Sequence, residues 1–296
     1  MNKKDEADLL HELKRKQQEI SPDPEFVDEL ENKLIQRFSN RRRRNVFFPV
    51  VSLAVVGVLF FILAFNSNVL FEGTSSLSSI SKPEVYIYHT HDTEAYLPHL
   101  RQKGVIDNPR PEDAFHEEMN ITLIGEYLAE SIESAGIGVL FEERKIQEEV
   151  LNQGLTYSDS YEISQQYIEE TIDKYGDSIQ MMFDIHRDTL ERDQTTMSLN
   201  GEEVARIVFV VSDYHSTSDQ NLAFAKKLHE RVDEKYPGLS RGVLLKGNQT
   251  FNQNMYNQDL LGQSVLLEIG GYQNSMEEVK RATDYLSDII VEILQE

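Results

Sequence analysis

Residues 86–94, "YIYHTHDTE", put two imidazoles and two carboxylates, His89, His91, Asp92 and Glu94, directly after an apolar run. His91 and Glu94 are three residues apart, so one turn of backbone can aim both at one point. Two later segments offer partners. "MMFDIHRDT" (181–189) is an apolar run ending in His186, Arg187 and Asp188, and "SVLLEIGGYQN" (264–274) carries Glu268 into a Gly-Gly turn. Two His and two Glu satisfy a hydrolytic zinc centre, which takes three protein ligands and leaves one position open for water. His91, Glu94 and His186 would hold Zn2+. The metal lowers the pKa of its water to about 7, and Glu268 would serve as general base. Asp184 or Asp188 would accept the second ring N–H of a ligand histidine. His89 either replaces His91 or stands behind it. Arg187 or Arg241 would pair with a carboxylate of the substrate.

H-x-x-E alone arises often by chance. H-x-x-E, then a strand-ending His, then a strand-ending Glu is more specific. The structural alternatives are an ion-pair cluster at His186, Arg187 and Asp188, and an Arg187 partner for Glu268, whose burial unpaired would be costly. His99, His116, His215 and His229 have no partners in pattern and read as surface positions. "HEEMN" (116–120) fails the H-E-x-x-H pattern at its last residue, so a thermolysin-type helix site is excluded. No nucleophile-elbow G-x-S-x-G and no phosphate-binding G-x-x-x-x-G-K-[ST] occurs. The chain has no cysteine, which excludes disulfides and zinc–thiolate sites.

These residues need strands that end together. Continuous apolar runs predict strands at Glu84–His89, Ile137–Phe141, Ile179–His186, Val204–Val211, Gly242–Lys246 and Val265–Ile269. Helices are predicted at Ala114–Ala135, Ser158–Tyr175, Ser218–Lys235 and Met276–Leu294. The alternation implies a three-layer α/β/α domain with a mostly parallel twisted sheet. Sites in such folds form at carboxyl ends of strands.

The rest of the chain predicts where this domain works. Residues 46–65, "VFFPVVSLAVVGVLFFILAF", are uncharged and long enough to cross a hydrocarbon core of about 30 Å. Arg41–Arg44 precede them, and the flank after them lacks Lys and Arg. The positive-inside rule then predicts a cytoplasmic segment 1–45, a transmembrane helix 46–66, a linker 67–83 and an extracytoplasmic catalytic domain 84–296. The linker allows a reach of about 50 Å. The net charge of −22 is carried beyond the apolar stretch. An acidic domain repels nucleic acid and sticks little to an anionic polymer that it must release.

Five ordered segments, "YIYHTHDTEAYLP", "FDIHRDT", "NLAFAKKLHERVDEKYPGLSRGV", "YNQDL" and "LLEIGG", resemble the stage II sporulation protein P family from about Glu84 to the C-terminus. The resemblance implies a membrane-anchored wall hydrolase of spore-forming bacteria. Such enzymes are similar to zinc-dependent N-acetylmuramoyl-L-alanine amidases and also cut stem-peptide cross-links. It implies peptidoglycan as substrate, other wall-remodelling proteins as partners, zinc ligands within "HTHDTE" and at His186, and Glu268 as the catalytic carboxylate. His89 competes with His91, and Glu117 or Glu118, near the start of the first long helix, competes with Glu94. Two other readings stand beside the amidase: a non-catalytic wall-binding module of the same fold, and an anchored zinc carboxypeptidase.

Overall fold

The computed structural model describes residues 82–296 apart from 108–109, 214 and 247–254. The expected cytoplasmic segment, transmembrane helix and most of the linker lie outside the described residues. Among the described residues, no helix is long and apolar enough to cross a membrane.

Six strands form one sheet in the order β2-β1-β3-β8-β6-β7. They are β1 (Val85–Tyr88), β2 (Val139–Phe141), β3 (Met181–Asp188), β6 (Ile207–Ser212), β7 (Ser240–Lys246) and β8 (Ser264–Gly271). Strands β2, β1, β3 and β8 run parallel. β6 and β7 are parallel to each other, but β6 meets β8 antiparallel. The sheet is thus mostly parallel with one reversed junction. The predicted strand over Val204–Val211 is two strands. β5 (Glu202–Ala205) pairs with β4 (Thr196–Leu199) as a separate hairpin, and the chain enters the main sheet only after Arg206. Arg206 makes that corner by donating its backbone N–H to Thr195 O at 2.7 Å and its Nε to Gly238 O at 3.0 Å.

The pleat sorts side chains by parity. Odd positions Val85, Ile87, Phe183, Ile185, Val265 and Leu267 belong to the main core. That core is completed by helices α2 (Thr122–Ser134), α6 (Ser218–Lys235) and α7 (Met276–Leu294), all on one side of the sheet. Even positions Tyr86, Tyr88 and Met182 face the other way and pack on Ile168 of helix α4 (Ser160–Tyr175). The second helical layer covers the β1 and β3 side. Over β8 and β6 the even face carries the smaller cluster of Val208, Val210 and Leu266 against Tyr256. His186 and Glu268 are even-numbered, so their side chains stand on this less covered face.

The predicted helices at 218–235 and 276–294 match the observed ones. α7 starts at a capping box in which Ser275 Oγ accepts from Glu278 N at 3.3 Å and Glu278 Oε2 accepts from Ser275 N at 3.1 Å, the signature that makes such starts readable. Short helices α1 (Leu97–Gln102), α3 (Ile146–Asn152) and α5 (Arg192–Thr195) were not expected. α2 begins eight residues later than predicted. Residues 114–116 are instead tied to the chain after β1: Ala95 N donates to Ala114 O at 2.9 Å and His116 N to Thr93 O at 2.8 Å. Asn120 then caps α2 by accepting from Thr122 N at 2.9 Å.

Gly125 in α2 has a packing reason. A Cβ there would lie 2.1 Å from His89 Nε2. Gly→Ala in a helix interior normally stabilises by about 1 kcal/mol, but overpacking costs about 1–3 kcal/mol. Gly125→Ala is therefore expected to lower the thermal unfolding midpoint, measured by circular dichroism; a raised midpoint would show that His89 moves aside freely.

Candidate metal and catalytic site

The turn after β1 is what the H-x-x-E spacing requires. Glu94 N donates to His91 O at 3.1 Å, closing the turn so that both side chains face one point. β3 supplies the third group. His91, Glu94 and His186 each offer a ligand atom, and these atoms all lie within 4.8 Å of one another. No other group of three or more such residues is found among the described residues. The set has the chemistry of a zinc site: two imidazoles and one carboxylate.

Each of the three is oriented by a neighbour. The pleat puts Asp184 on the same face of β3 as His186, and Asp184 Oδ1 lies 3.0 Å from His186 Nε2. The angle is poor for a hydrogen bond, so this contact is foremost an ion pair. Asp184 Oδ1 also accepts from Thr90 N at 2.8 Å. The other ring nitrogen, Nδ1, faces Glu94 Oε2 at 3.4 Å. Burial disfavours a charged His186, but Asp184 and Glu94 outweigh it and push the pKa up to about 10. Burial also opposes the charge on Glu94, yet His186 and Arg187 pull its pKa down to about 2. His91 goes the other way. Burial first, then the positive His186, lowers it to about 4, leaving a neutral imidazole of the form a metal takes. The two carboxylates thus favour positive charge at His186, as they would favour a cation held between the same groups.

Asp184, then, is the residue beside the histidine of the cluster on β3. Asp188 is not: it pairs with Arg241 and accepts from Leu190 N at 3.0 Å. A β-bulge between His186 and Asp188 turns it away. Arg187 is on the opposite face of the pleat and is 4% exposed. Its backbone N–H donates to Glu94 Oε2 at 3.0 Å, and its guanidinium donates to Ala95 O at 3.4 Å and Ala114 O at 3.0 Å. Arg187 therefore fixes Glu94 and the following loop, and is neither a free substrate contact nor the partner of Glu268.

Glu268 sits on β8 directly opposite His186 in the register. Its cationic neighbour is Arg241, 3.7 Å away and also bonded to Asp188. Burial, then the Asp188 carboxylate, raises the Glu268 pKa to about 7. A carboxylate tuned to that range suits a general base at neutral pH.

His89 is not brought to the cluster. It is buried, stands edge-on to Phe141 at 5.6 Å, and neither ring nitrogen has a hydrogen-bond partner. Burial lowers its pKa to about 3. It lines a separate cavity of about 190 Å³ together with Glu117. Glu117 and Glu118 are exposed and lie outside the cluster. His116 accepts from Glu118 N and Met119 N, shaping a turn. His229 is a helix position, as its segment predicts, and is partly buried with Nδ1 2.8 Å from Ser240 Oγ.

The sequence reading did not include the aromatic wall. His91 stacks on Tyr157 at 4.3 Å and meets Tyr161 edge-on at 5.4 Å; Tyr161 in turn meets Tyr256 at 5.5 Å. The i, i+4 spacing of Tyr157 and Tyr161 at a helix start was the available signal. Tyr256 and Asn257 both hold left-handed backbone, φ 49° and 55°, a conformation uncommon outside glycine. Asn257 is held there by donating Nδ2 to Ser164 Oγ at 2.8 Å. This is the structural content of "YNQDL".

The family description "Stage II sporulation protein P (SpoIIP)" matches residues 2–291. Stage II sporulation protein P of Bacillus subtilis (strain 168) is 39% identical over 212 residues, covering 72% of this chain and 51% of that protein. The chain thus spans about half the length of that relative. Among solved structures, the N-acetylmuramyl-L-alanine amidase of Mycobacterium smegmatis gives a TM-score of 0.40 at 11% identity, over 73% of this chain and 98% of that one. The N-acetylmuramoyl-L-alanine amidase of Clostridium difficile 630 gives 0.37 at 12% identity, over 73% and 97%. With a family match along nearly its whole length, the chain belongs to the stage II sporulation protein P family.

Proposed function

We propose that this chain is a zinc-dependent peptidoglycan hydrolase that cleaves the amide between N-acetylmuramic acid and the L-alanine of the stem peptide. Peptide cross-links would be a second substrate. It would work on the outer side of the membrane, anchored by residues 46–66, in septal wall remodelling during spore formation. The observation that carries the reading is the convergence of His91, Glu94 and His186 within 4.8 Å, with Glu268 paired opposite His186. The name of the Bacillus subtilis relative supports the sporulation setting.

His91, Glu94 and His186 would hold the metal, whose bound form supplies Lewis-acid polarisation of the amide carbonyl and an acidified water. Asp184 fixes the ring of His186 and balances its charge. Arg187 holds the Glu94 carboxylate from behind through its backbone N–H. Glu268 takes the proton from the attacking water and delivers it to the nitrogen of the leaving amine. Arg241 spans Asp188 and Glu268 and limits how far repulsion between the two carboxylates raises the Glu268 pKa.

The decisive experiment incubates the full chain, purified in detergent, with peptidoglycan sacculi and reads the products by mass. Free stem peptides, lost on chelation and restored by zinc, are expected. A wall that is bound but intact would turn the reading to a binding module, and release of terminal amino acids alone would indicate a carboxypeptidase. The rate should rise with pH on the acid side as Glu268 loses its proton. Its pKa is about 7 without metal, and a bound cation lowers it further, so the acid limb should lie at or below pH 7. An acid limb well above pH 7 in the kcat profile would remove Glu268 from the base role.

A further inference from the structure

Seven large apolar or aromatic residues stand exposed among the described residues, and two of them are aromatic: Phe115 at 44% and Tyr157 at 43%. These two touch each other. Their rings meet edge-on at 6.3 Å and 86°, forming an L-shaped notch. Each ring is backed on one side by the site itself. Tyr157 lies stacked on His91 at 4.3 Å, and the Arg187 guanidinium lies over Phe115 at 5.1 Å. The Phe115 backbone is bridged to Glu94. The notch is therefore a rigid part of the rim of the candidate metal cluster. Rigid aromatic surfaces bind with little loss of conformational entropy.

The chemistry of the surroundings selects the occupant. Glu117 and Glu118 stand exposed two and three residues from Phe115, and the domain beyond residue 66 is strongly acidic. An anionic stem peptide is disfavoured there, whereas an uncharged ligand with a flat C–H face is not. Aromatic faces carry a negative quadrupole that accepts such polarised C–H groups. In a muramoyl–alanine amide the sugar is joined to the scissile bond through one short lactyl arm, so a pyranose ring must sit beside the metal cluster. Tyr157 is one ring away from His91.

We infer that Phe115 and Tyr157 form a stacking platform for an N-acetylated pyranose ring of the glycan strand, which places the sugar on the His91 side of the site. This rests on the hydrolase reading for the identity of the sugar polymer, but it is tested by binding. The full chain carrying Glu268→Gln is titrated with the uncharged tetramer of N-acetylglucosamine by calorimetry. Phe115→Ala and Tyr157→Ala are expected to weaken binding at least five-fold each, and Phe115→Tyr to retain it. The thermal midpoint of Phe115→Ala should fall only slightly, with the loss of its Tyr157 and Arg187 contacts, and the variant should stay folded at the temperature of the titration. Equal binding by the alanine variants, or no binding by the parent, would overturn the platform; the second result would point to a protein partner on these rings. Zinc-dependent hydrolysis with binding indifferent to the rings would sink the platform and leave the hydrolase standing. Ring-dependent binding without hydrolysis would do the reverse.

Discussion

Glu268→Gln is expected to lower wall hydrolysis about 10³-fold, within the range that a positioned general base contributes, while zinc content stays at one per chain. The reason is geometric. Glu268 faces His186 across one strand spacing and is not among the three residues whose ligand atoms converge. On the proposed mechanism, removing its charge leaves the three convergent residues in place and takes away only the group that would move the proton. The same substitution should make the metal-free protein more stable. Glu268 titrates at about 7 in the fold because burial and Asp188 oppose its charge. The ordinary value of a free glutamate is about 4.3, so near neutral and alkaline pH the ionised side chain weakens the fold. Gln keeps the shape without the charge, and Arg241 keeps Asp188 as its partner. Inactivity together with a raised thermal midpoint would identify Glu268 as a residue kept for chemistry. Inactivity with loss of zinc would make it a fourth ligand and leave the base unassigned.

Much of this site was legible before the fold was known, for identifiable reasons. The i, i+3 spacing of His91 and Glu94 is local, and a hydrogen-bonded turn realises it directly. His186 and Glu268 sit in continuous apolar runs, and such runs become neighbouring central strands. The helices at 218–235 and 276–294 are amphipathic over several turns, so their period survived tertiary packing. What was misread depends on contacts far apart in sequence. The late start of α2 follows from pairing of residues 114–116 with residues 93–95. Arg187 is not free for a substrate carboxylate because its guanidinium is taken up by Ala95 O and Ala114 O, and Arg241 rather than Arg187 stands beside Glu268. The aromatic wall joins residues from three separate stretches, and only folding brings Phe115, Tyr157 and Tyr256 around His91. His89 shows the limit from the other side: it has the right residue type and sits two positions from a ligand, yet the strand aims it at Gly125.

His186→Ala should separate two consequences that chelation alone merges. Both His186→Ala and His91→Ala are expected to abolish zinc binding and activity, since each removes one of the three proposed ligands. Their effects on the metal-free fold should differ. His91 is neutral in the apo protein, with its pKa lowered to about 4, so its loss removes little charge balance. His186 is the cation between Asp184 and Glu94, all three of them buried. Its removal leaves two carboxylates without the proton they share, and breaking a buried pair typically costs about 3–5 kcal/mol. The pH dependence carries the same sign. The folded pKa of His186, about 10, lies above the ordinary 6.5. Its stabilising effect is therefore fully present below about pH 6.5 and is lost as pH rises through 10. Urea unfolding of chelated protein should give a lower midpoint at pH 9 than at pH 6.5, and in His186→Ala that difference should shrink. A metal-free protein equally stable at both pH values would mean that the folded cluster holds no proton that the unfolded chain lacks. The cluster would then present a neutral His186 beside two ionised carboxylates, and zinc uptake would release no proton from it.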